Sequence, residues 1–426
     1  MRWLDKNYMT KPTGLLFSLL FGILISFGEF SFAEEEISVP ASDDIDITVD
    51  RFAASGKYLM LWLAPEYGFR SSHRSLARML SEQGIEVWQS NIVESLFLPQ
   101  GTASLKELDG KYVADVIEYA HKTTGKKIVV AGDSYASLSA LTGAREWQQR
   151  QHADSYFIGA VLFSPYTFAY IPPLGFEPEY MPIVNATNIP LMIYQAQGSA
   201  TIGQFELLLE KLRQHDNPVY TKFVPTVMSL FYQEPPTAAM QNNAKALPAN
   251  IKTMITVLER HEVPARPIPL KITDTAKSGI DVLLKKFKGK TGPIAINLKD
   301  VNGNTVSKTD FSGQITIVNF WATWCPPCIE EIPSLNRLKK KMAGVPFELI
   351  SINYAEDSKT IVEFMKQVNV EFPVLLDQNG EFAKQWNVIS YPSTFIIDSK
   401  GIIQYGVNAA IEWDDPEVIQ KIKALY

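Results

Sequence analysis

The sequence predicts an α/β protein made of two folded domains, and three observations lead to this prediction. Strands and helices alternate over residues 57–144, an order typical of a parallel sheet with helices on both faces. A βαβ pattern followed by a ββα pattern occupies residues 313–425. With 426 residues, the chain is also long enough for two or three compact domains.

Composition and charge exclude several function classes. The chain is 46% hydrophobic and 20% charged, which is ordinary for a globular protein. Its net charge is −6, so the sequence offers no basic surface for nucleic acid, and we expect no nucleic-acid partner. The five histidines are too scattered to indicate a metal site, and we expect neither a metal nor another cofactor.

The first 33 residues have the layout of a secretory signal peptide. Three basic residues within the first eleven positions precede an apolar run at 15–27, and small residues follow at Ser31 and Ala33. A membrane span needs about 20 apolar residues, and Glu29 interrupts this run early. An uncleaved membrane anchor is the alternative. Either interpretation predicts that the bulk of the chain is periplasmic or otherwise extracytoplasmic.

The first domain, predicted at 36–265, contains a strand–turn–helix junction with a serine at its centre. An apolar strand leads into Gly132-Asp133-Ser134-Tyr135-Ala136, and a helix follows. This pattern is close to the nucleophile elbow G-x-S-x-G, in which a sharp turn lifts a serine above the sheet. The region therefore resembles an α/β-hydrolase domain, with Ser134 as the candidate nucleophile and Ala136 in place of the second glycine. The later strands are predicted at 158–166, 189–199 and 218–225.

The remaining members of a catalytic triad are not found at the expected places. The acid should follow the strand at 189–199, but no acidic residue occurs there before Glu206. The histidine should follow the strand at 218–225, yet none occurs until His261. Without a base, Ser134 is a weak nucleophile. We therefore interpret this domain as a non-catalytic binding module, with an active serine hydrolase (esterase or peptidase) as the alternative.

A proline-rich segment separates the two domains. The stretch "VPARPIP" at 263–269 has closely spaced prolines, which favour an extended and stiff chain. We assign residues 266–290 to an interdomain linker. The second domain is predicted at 291–426.

The second domain holds the only two cysteines of the chain, Cys325 and Cys328. A zinc site commonly needs two such pairs, or one pair with histidines, and no histidine occurs after His261. Covalent haem attachment needs a histidine directly after the second cysteine, where this chain has Ile329. Two thiols one helical turn apart suit thiol–disulfide exchange. The pair therefore predicts redox chemistry.

The residues around the pair predict which cysteine reacts first. The apolar stretch at 313–320 is predicted as a buried strand, and two prolines after Cys325 suit the first turn of a helix. Cys325 then lies at a helix N-terminus, where the helix dipole favours a thiolate. We expect Cys325 to attack the substrate disulfide and Cys328 to resolve the mixed disulfide.

Three motifs give this domain a specific resemblance. The stretches "WCPPCIEEIP", "YPSTFIID" and "WDDPEVIQKI" resemble those of TlpA/ResA-type thioredoxins, which are extracytoplasmic thiol–disulfide oxidoreductases with a thioredoxin fold. The resemblance implies that Pro392 is a cis-proline and that the backbone of Tyr391 pairs with substrate. It implies a substrate-facing role for Trp324, whose alternative is a buried core position. It also implies a proton-accepting role for Glu331, whose alternative is a surface glutamate.

The resemblance also implies a direction of electron flow. It predicts a reductase of disulfide-bearing proteins that receives electrons from a membrane donor of the DsbD or CcdA type. An oxidant or isomerase is the alternative, but oxidants of the DsbA type carry a histidine between the cysteines, where this chain has Pro326 and Pro327. Apocytochrome c and general periplasmic disulfides are both substrates that the resemblance allows.

Overall fold

The computed structural model describes residues 34–150, 156–172, 174, 176–225, 238–271, 284–289 and 292–426. The predicted signal peptide at 1–33 lies outside these described residues. Among the helices that are described, none is both long and apolar enough to span a bilayer. The described strands form two sheets of eight strands each, one in each half of the chain.

The first sheet is mostly parallel and has the order β1-β2-β4-β3-β5-β6-β7-β8. Its strands are β1 (Glu34–Ala41), β2 (Ile45–Phe52), β3 (Tyr58–Leu63), β4 (Ile85–Ser90), β5 (Lys127–Asp133), β6 (Phe157–Phe163), β7 (Leu191–Ala196) and β8 (Val219–Val224). β2 pairs antiparallel with both β1 and β4, and the pairs from β4 through β8 are parallel. The hairpin β1–β2 was not predicted from the sequence.

Helices cover both faces of this sheet, as the sequence predicts. They are α1 (Ser71–Glu82), α2 (Ile92–Ser95), α3 (Thr102–Glu107), α4 (Gly110–Thr124), α5 (Ala136–Gln149), α6 (Pro182–Asn185), α7 (Phe205–Leu212) and α8 (Ala238–Leu258). Side chains alternate along β3, so that Leu61 packs with α4 and α5 while Trp62 packs with α1 and α8. This period of two is what a sheet buried on both faces requires.

One predicted helix is divided in the structure. The sequence predicts a single helix over 105–125, whereas α3 ends at Glu107 and α4 begins at Gly110. Asp109 caps α4 by accepting a hydrogen bond from the backbone of Lys111, which starts a new helix at that point. A β-carbon at Gly110 would lie 2.5 Å from the carbonyl oxygen of Thr142, so the close packing of α4 on α5 needs a glycine there.

The second sheet has the order β11-β10-β14-β13-β12-β15-β16-β9. Its strands are β9 (Lys285–Lys286), β10 (Ile296–Asp300), β11 (Thr305–Lys308), β12 (Ile315–Trp321), β13 (Phe347–Tyr354), β14 (Val374–Asp377), β15 (Ser393–Ile397) and β16 (Ile403–Val407), and its helices are α9 (Pro326–Lys341), α10 (Ser358–Met365), α11 (Glu381–Gln385) and α12 (Pro416–Lys423). β12, at the centre, pairs parallel with β13 and antiparallel with β15. This is the βαβ and ββα arrangement that the sequence predicts.

The chain between the domains, from the proline-rich stretch at 263–269 to the end of the predicted linker at 290, makes defined contacts. Gln148 donates a side-chain hydrogen bond to the carbonyl of Pro264 across 2.7 Å, and Asn188 donates to the carbonyl of Arg266 across 2.9 Å. These bonds hold the start of the segment along the first domain. At its other end, β9 pairs with β16 of the second sheet.

Candidate redox site

Cys325 and Cys328 lie at the N-terminus of α9, directly after the central strand β12. They form a disulfide with an S–S distance of 2.06 Å. Cys325 is the N-cap of α9, and its Sγ accepts a hydrogen bond from the backbone N–H of Cys328 across 3.3 Å. Cys328 is fully buried, whereas Cys325 is 4% exposed. Solvent and substrate therefore reach Cys325 first.

Glu356 fixes the loop that leads into Cys325. It accepts a hydrogen bond from the backbone N–H of Thr323 across 2.8 Å and a second one from the Thr323 hydroxyl. Asn353 also donates to this carboxylate across 2.8 Å. Glu356 follows β13 in sequence and belongs to none of the motifs described above, so sequence reasoning did not find it. Its contacts hold the backbone two residues before Cys325.

Glu331 is buried on the first turns of α9, where sequence reasoning left open a surface position. Its side chain is only 2% exposed. Burial raises the pKa of Glu331 to about 8, and hydrogen bonds from Trp413 and Asn319 offset part of that rise. Because Glu331 follows Cys328 by three positions on a helix, the two side chains lie on the same face.

Two buried donors hold the two carboxylate oxygens of Glu331. Asn319 Nδ2 donates to Oε1 across 2.8 Å and also to Thr394 Oγ1 across 2.9 Å. Trp413 Nε1 donates to Oε2 across 2.9 Å. Sequence reasoning gave Trp413 no role, although it opens the "WDDPEVIQKI" motif. The pairing of Asn319 with Glu331 could not be found from spacing, because the two lie on different elements.

Aromatic residues and a cis-proline border the pair. The Tyr391–Pro392 peptide bond is cis, and Pro392 directly precedes β15, whose first residue pairs with Phe320 of β12. Trp324 is 52% exposed, and its ring lies edge-on to that of Tyr391 with centroids 5.9 Å apart. Tyr391 also packs against the hydrophobic cluster that contains both cysteines, so residues from two separate segments meet next to Cys325.

Ser134 occupies a sharp turn between β5 and α5. Its backbone has φ of 53°, in the left-handed region that few residues other than glycine adopt. A β-carbon at Gly132 would lie 2.4 Å from the carbonyl oxygen of Ala136, so this tight turn requires a glycine there. The Ser134 hydroxyl donates a hydrogen bond to Glu66 Oε1 across 3.1 Å.

Each described histidine has a polar partner within the first domain. His73 Nε2 lies 3.4 Å from Asp133 Oδ2, and both side chains are buried. His121 bonds to the carbonyl of Lys126, His215 to that of Asn185, and His261 to the hydroxyl of Tyr220. His152 lies outside the described residues. Within the described part of the chain, no cluster of three or more His, Cys, Asp or Glu side chains is placed to hold a metal ion.

Comparison with known proteins relates the second domain to a family. The AhpC/TSA family model matches residues 289–406. Thiol-disulfide oxidoreductase ResA of Bacillus thuringiensis is 36% identical over 113 residues, which are 26% of this chain and 65% of that protein. Sporulation thiol-disulfide oxidoreductase A of Bacillus subtilis is 32% identical over 115 residues, 26% of this chain and 69% of that protein.

The chain also has similarity to solved structures. The crystal structure of StoA from Bacillus subtilis is 26% identical, covers 31% of this chain and 96% of its own, and has a TM-score of 0.27. The chain spans less than two thirds of the length of several curated relatives, such as the 58% of Bacillus subtilis ResA. Through its second domain, which has the thioredoxin fold, the chain belongs to the thiol–disulfide oxidoreductases related to ResA.

Proposed function

We propose that this protein is an extracytoplasmic thiol–disulfide oxidoreductase that reduces disulfides in protein substrates. One observation carries the proposal: a helix-capping Cys325 is paired with a buried Cys328, and a buried carboxylic acid with its pKa raised to about 8 follows Cys328 by three positions on the same helix. That value is close to the ordinary thiol pKa of about 8.5, so a proton can pass between the two groups at little cost. The predicted signal peptide supports an extracytoplasmic location.

In the first step, the Cys325 thiolate of the reduced enzyme attacks one sulfur of the substrate disulfide. The substrate S–S bond breaks and a bond forms between Cys325 Sγ and the attacked sulfur. The other substrate sulfur leaves as a thiolate and takes a proton from solvent. Cys325 is the attacking group because it is the more accessible of the pair, and the N-terminus of α9 stabilises its negative charge.

In the second step, Cys328 resolves the mixed disulfide. The Cys328 thiol gives its proton to the Glu331 carboxylate and attacks Cys325 Sγ, and the second substrate sulfur leaves as a thiolate that is then protonated. Two electrons have moved from the enzyme dithiol to the substrate disulfide. Glu331 then holds the proton that a leaving Cys328 thiolate needs when the enzyme disulfide is reduced again.

The enzyme disulfide must then be reduced by a dithiol donor. We propose a membrane donor of the DsbD or CcdA type for this step, because an extracytoplasmic compartment does not itself keep such a pair reduced. Apocytochrome c and general extracytoplasmic disulfides are the substrate classes that the family resemblance favours. In the substrate site, we propose that the exposed ring of Trp324 and the backbone of Tyr391 contact the substrate polypeptide. Pro392, which directly follows Tyr391, belongs to the same site.

The reduction potential tests the direction of flow. We expect the pair, equilibrated with glutathione redox buffers, to lie nearer the roughly −270 mV of thioredoxin than the roughly −120 mV of a strong oxidant. A value at the oxidant end would contradict the reductase proposal and favour the oxidant alternative.

We further propose that the first domain is an α/β-hydrolase-like fold that acts as a binding module without hydrolase chemistry. The mostly parallel sheet with its one inverted strand β2 and the turn at Ser134 support the fold. The sequence supports the absence of chemistry, because no acidic residue follows the strand at 189–199 before Glu206 and no histidine follows the strand at 218–225 before His261. The Ser134 hydroxyl donates to Glu66 Oε1 across 3.1 Å, and a carboxylate at this distance can accept the proton of a nucleophile, so this contact favours the second candidate below.

An active serine hydrolase is the second candidate, and the left-handed backbone of Ser134 favours it because a nucleophile elbow is a strained turn of this kind. A fluorophosphonate probe distinguishes the two candidates, with Ser134→Ala as the control. We expect no labelling of the folded protein. Labelling of the wild type that disappears in Ser134→Ala would contradict the binding-module proposal and make the protein bifunctional.

A further inference from the structure

The loop that precedes β15 in the redox domain is anchored in the first domain. We call residues 386–392 the substrate loop, because it ends at the cis-proline. The side chain of Ile389 in this loop is 5% exposed and belongs to the hydrophobic core of the first domain. The Tyr166 hydroxyl donates a hydrogen bond to the carbonyl of the same Ile389 across 3.2 Å. One residue of the loop is thus held through both its side chain and its backbone.

Further contacts join the two domains on both sides of Ile389. Gln204 Nε2 donates to Asn387 Oδ1 across 2.6 Å. On the other side, Tyr354 stacks on Tyr391 with ring centroids 4.6 Å apart, and the Tyr354 hydroxyl donates to the carbonyl of Gly198. The substrate loop therefore contacts the first domain directly at Asn387 and Ile389. At Tyr391 the connection is indirect, through the stacked ring of Tyr354.

Tyr166 is itself held in place within the first domain. Its backbone N–H donates to the carbonyl of Ser134 across 3.0 Å. Its ring lies against Tyr135 and Phe168, with centroid distances of 4.6 Å and 4.9 Å. Because these contacts come from the turn after β5 and from the segment after β6, the anchor of the substrate loop rests on the carboxyl edge of a buried parallel sheet.

We propose that the first domain positions the substrate loop of the redox site, with Tyr166 as the principal positioning residue. This inference rests on the proposed disulfide reductase function. A polypeptide substrate that pairs with the backbone at Tyr391 binds more tightly when that backbone is already held in the binding geometry. The anchor therefore acts on the binding of protein substrates and leaves the sulfur chemistry of Cys325 and Cys328 as it is.

Tyr166→Phe tests the inference, with Tyr170→Phe as a matched control. The Tyr170 hydroxyl bonds to Glu179 within the first domain, across 2.8 Å, so the control also removes one phenolic hydrogen bond but spares the substrate loop. Each reduced protein is assayed with insulin, a protein disulfide, and with 5,5′-dithiobis(2-nitrobenzoate), a small disulfide that needs no backbone pairing. We expect Tyr166→Phe to raise KM for insulin by about threefold to tenfold, the loss of one hydrogen bond, with kcat unchanged.

The two substrates separate the possible outcomes. The inference holds if Tyr166→Phe raises KM for insulin while its rate with the small disulfide equals that of Tyr170→Phe. A second variant, Gln204→Ala, should raise the same KM, because it removes the bond to Asn387 at a partly exposed position. An unchanged KM in both variants would overturn the inference, and so would an equal loss of rate with the small disulfide. A wild-type protein that reduces neither substrate would overturn the proposed function instead, and this inference with it.

Discussion

Trp413 donates a hydrogen bond from its indole nitrogen to Oε2 of Glu331 across 2.9 Å, although the two residues are 82 positions apart in the chain. Asn319 holds the other oxygen of the same carboxyl group. Both N–H donors favour the ionised form of Glu331, while burial disfavours it more strongly and leaves the pKa at about 8. The pKa of Glu331 is therefore set by burial together with two hydrogen-bond donors, and each donor can be removed separately by substitution.

Trp413→Phe should raise the pKa of Glu331 further. The substitution keeps a buried aromatic ring and removes a hydrogen bond to a charged group, which is worth roughly 1.5–3 kcal/mol. The pH at which resolution of the mixed disulfide is half-maximal should therefore move up by about one to two pH units. The measurement is the single-turnover resolution rate as a function of pH.

A buried tryptophan elsewhere in the domain supplies the control for that experiment. The Trp321 indole donates to Ser351 Oγ across 2.6 Å and is 1% exposed. Trp321→Phe removes an equally buried N–H donor whose partner is neutral. An equal shift of the pH profile in Trp321→Phe would show that loss of packing, and not the bond to Glu331, causes the effect.

Glu331→Gln should slow resolution without slowing the first attack. An amide cannot accept the Cys328 proton, so we expect the resolution rate at neutral pH to fall by about 10² or more, the usual size of a general-base contribution. The rate at which Cys325 attacks a small disulfide should stay within about twofold, because Glu331 lies beyond Cys328. Rapid-mixing experiments that separate the two steps test this, and an equal loss in both steps would contradict the assigned role.

The same acid should make the stability of the oxidised protein depend on pH. The pKa of Glu331 is about 8 in the folded chain and near its ordinary 4.5 in the unfolded chain. Between these two pH values the folded state binds a proton that the unfolded state does not bind. The stabilisation that this proton supplies is fully present below about pH 4.5 and is lost as the pH rises through about 8. Each pH unit in this window lowers the free energy of unfolding by about 1.4 kcal/mol at most, so the total decrease is roughly 4–5 kcal/mol. Urea unfolding from pH 5 to pH 9 should show a steeper decline in the wild type than in Glu331→Gln, and parallel curves would contradict the raised pKa.

The roles of the two cysteines predict opposite behaviour of their serine variants. Cys328→Ser keeps the accessible nucleophile and lacks the resolving thiol, so it should accumulate a mixed disulfide with substrate. Cys325→Ser should lose all exchange activity. Non-reducing electrophoresis followed by mass spectrometry detects the trapped species. Turnover that persists in Cys325→Ser would show that the nucleophile has been assigned wrongly.

Local sequence patterns were sufficient to predict most of this fold. The β12–α9 junction could be located because a β-branched apolar run, a helix-capping cysteine and two prolines all act within a few residues of one another. The helix over 105–125 was predicted without its break, because the capping by Asp109 looks the same in sequence as a polar position within one long helix. The hairpin β1–β2 was missed because its strands are partly exposed and carry charged residues.

The candidate site could be predicted only where a short motif implied the role of a residue. Cys325, Cys328 and Pro392 stand in recognisable motifs, whereas Glu356 and Trp413 act on the site through pairing between distant segments. The burial of Glu331 also depends on those segments, because its helix face becomes a core face only when Trp413 covers it. Contacts between the two domains, such as Tyr166 with Ile389, have no signal in one sequence.

The turn at Ser134 predicts an unusual order of stability between two variants. Ser134 has φ of 53°, and the left-handed conformation costs a residue with a β-carbon roughly 1–2 kcal/mol more than it costs glycine. Ser134→Ala and Ser134→Gly both lose the hydroxyl bond to Glu66. Their stabilities therefore differ mainly by the energy of the left-handed backbone conformation. Glycine also gives the unfolded chain more freedom, which offsets part of the gain. We therefore expect Ser134→Gly to be more stable than Ser134→Ala by about 1 kcal/mol in urea unfolding.

A position three residues later provides the control, because there the order should reverse. Ser137 lies in the first turn of α5 and its hydroxyl also bonds to a neighbour, the carbonyl of Gly132. In a right-handed helix glycine is less favourable than alanine by about 1 kcal/mol, so Ser137→Gly should be the less stable variant. If glycine is the less stable residue at both positions, the backbone of Ser134 is not left-handed in solution, and the nucleophile-elbow geometry proposed for the first domain loses its main support.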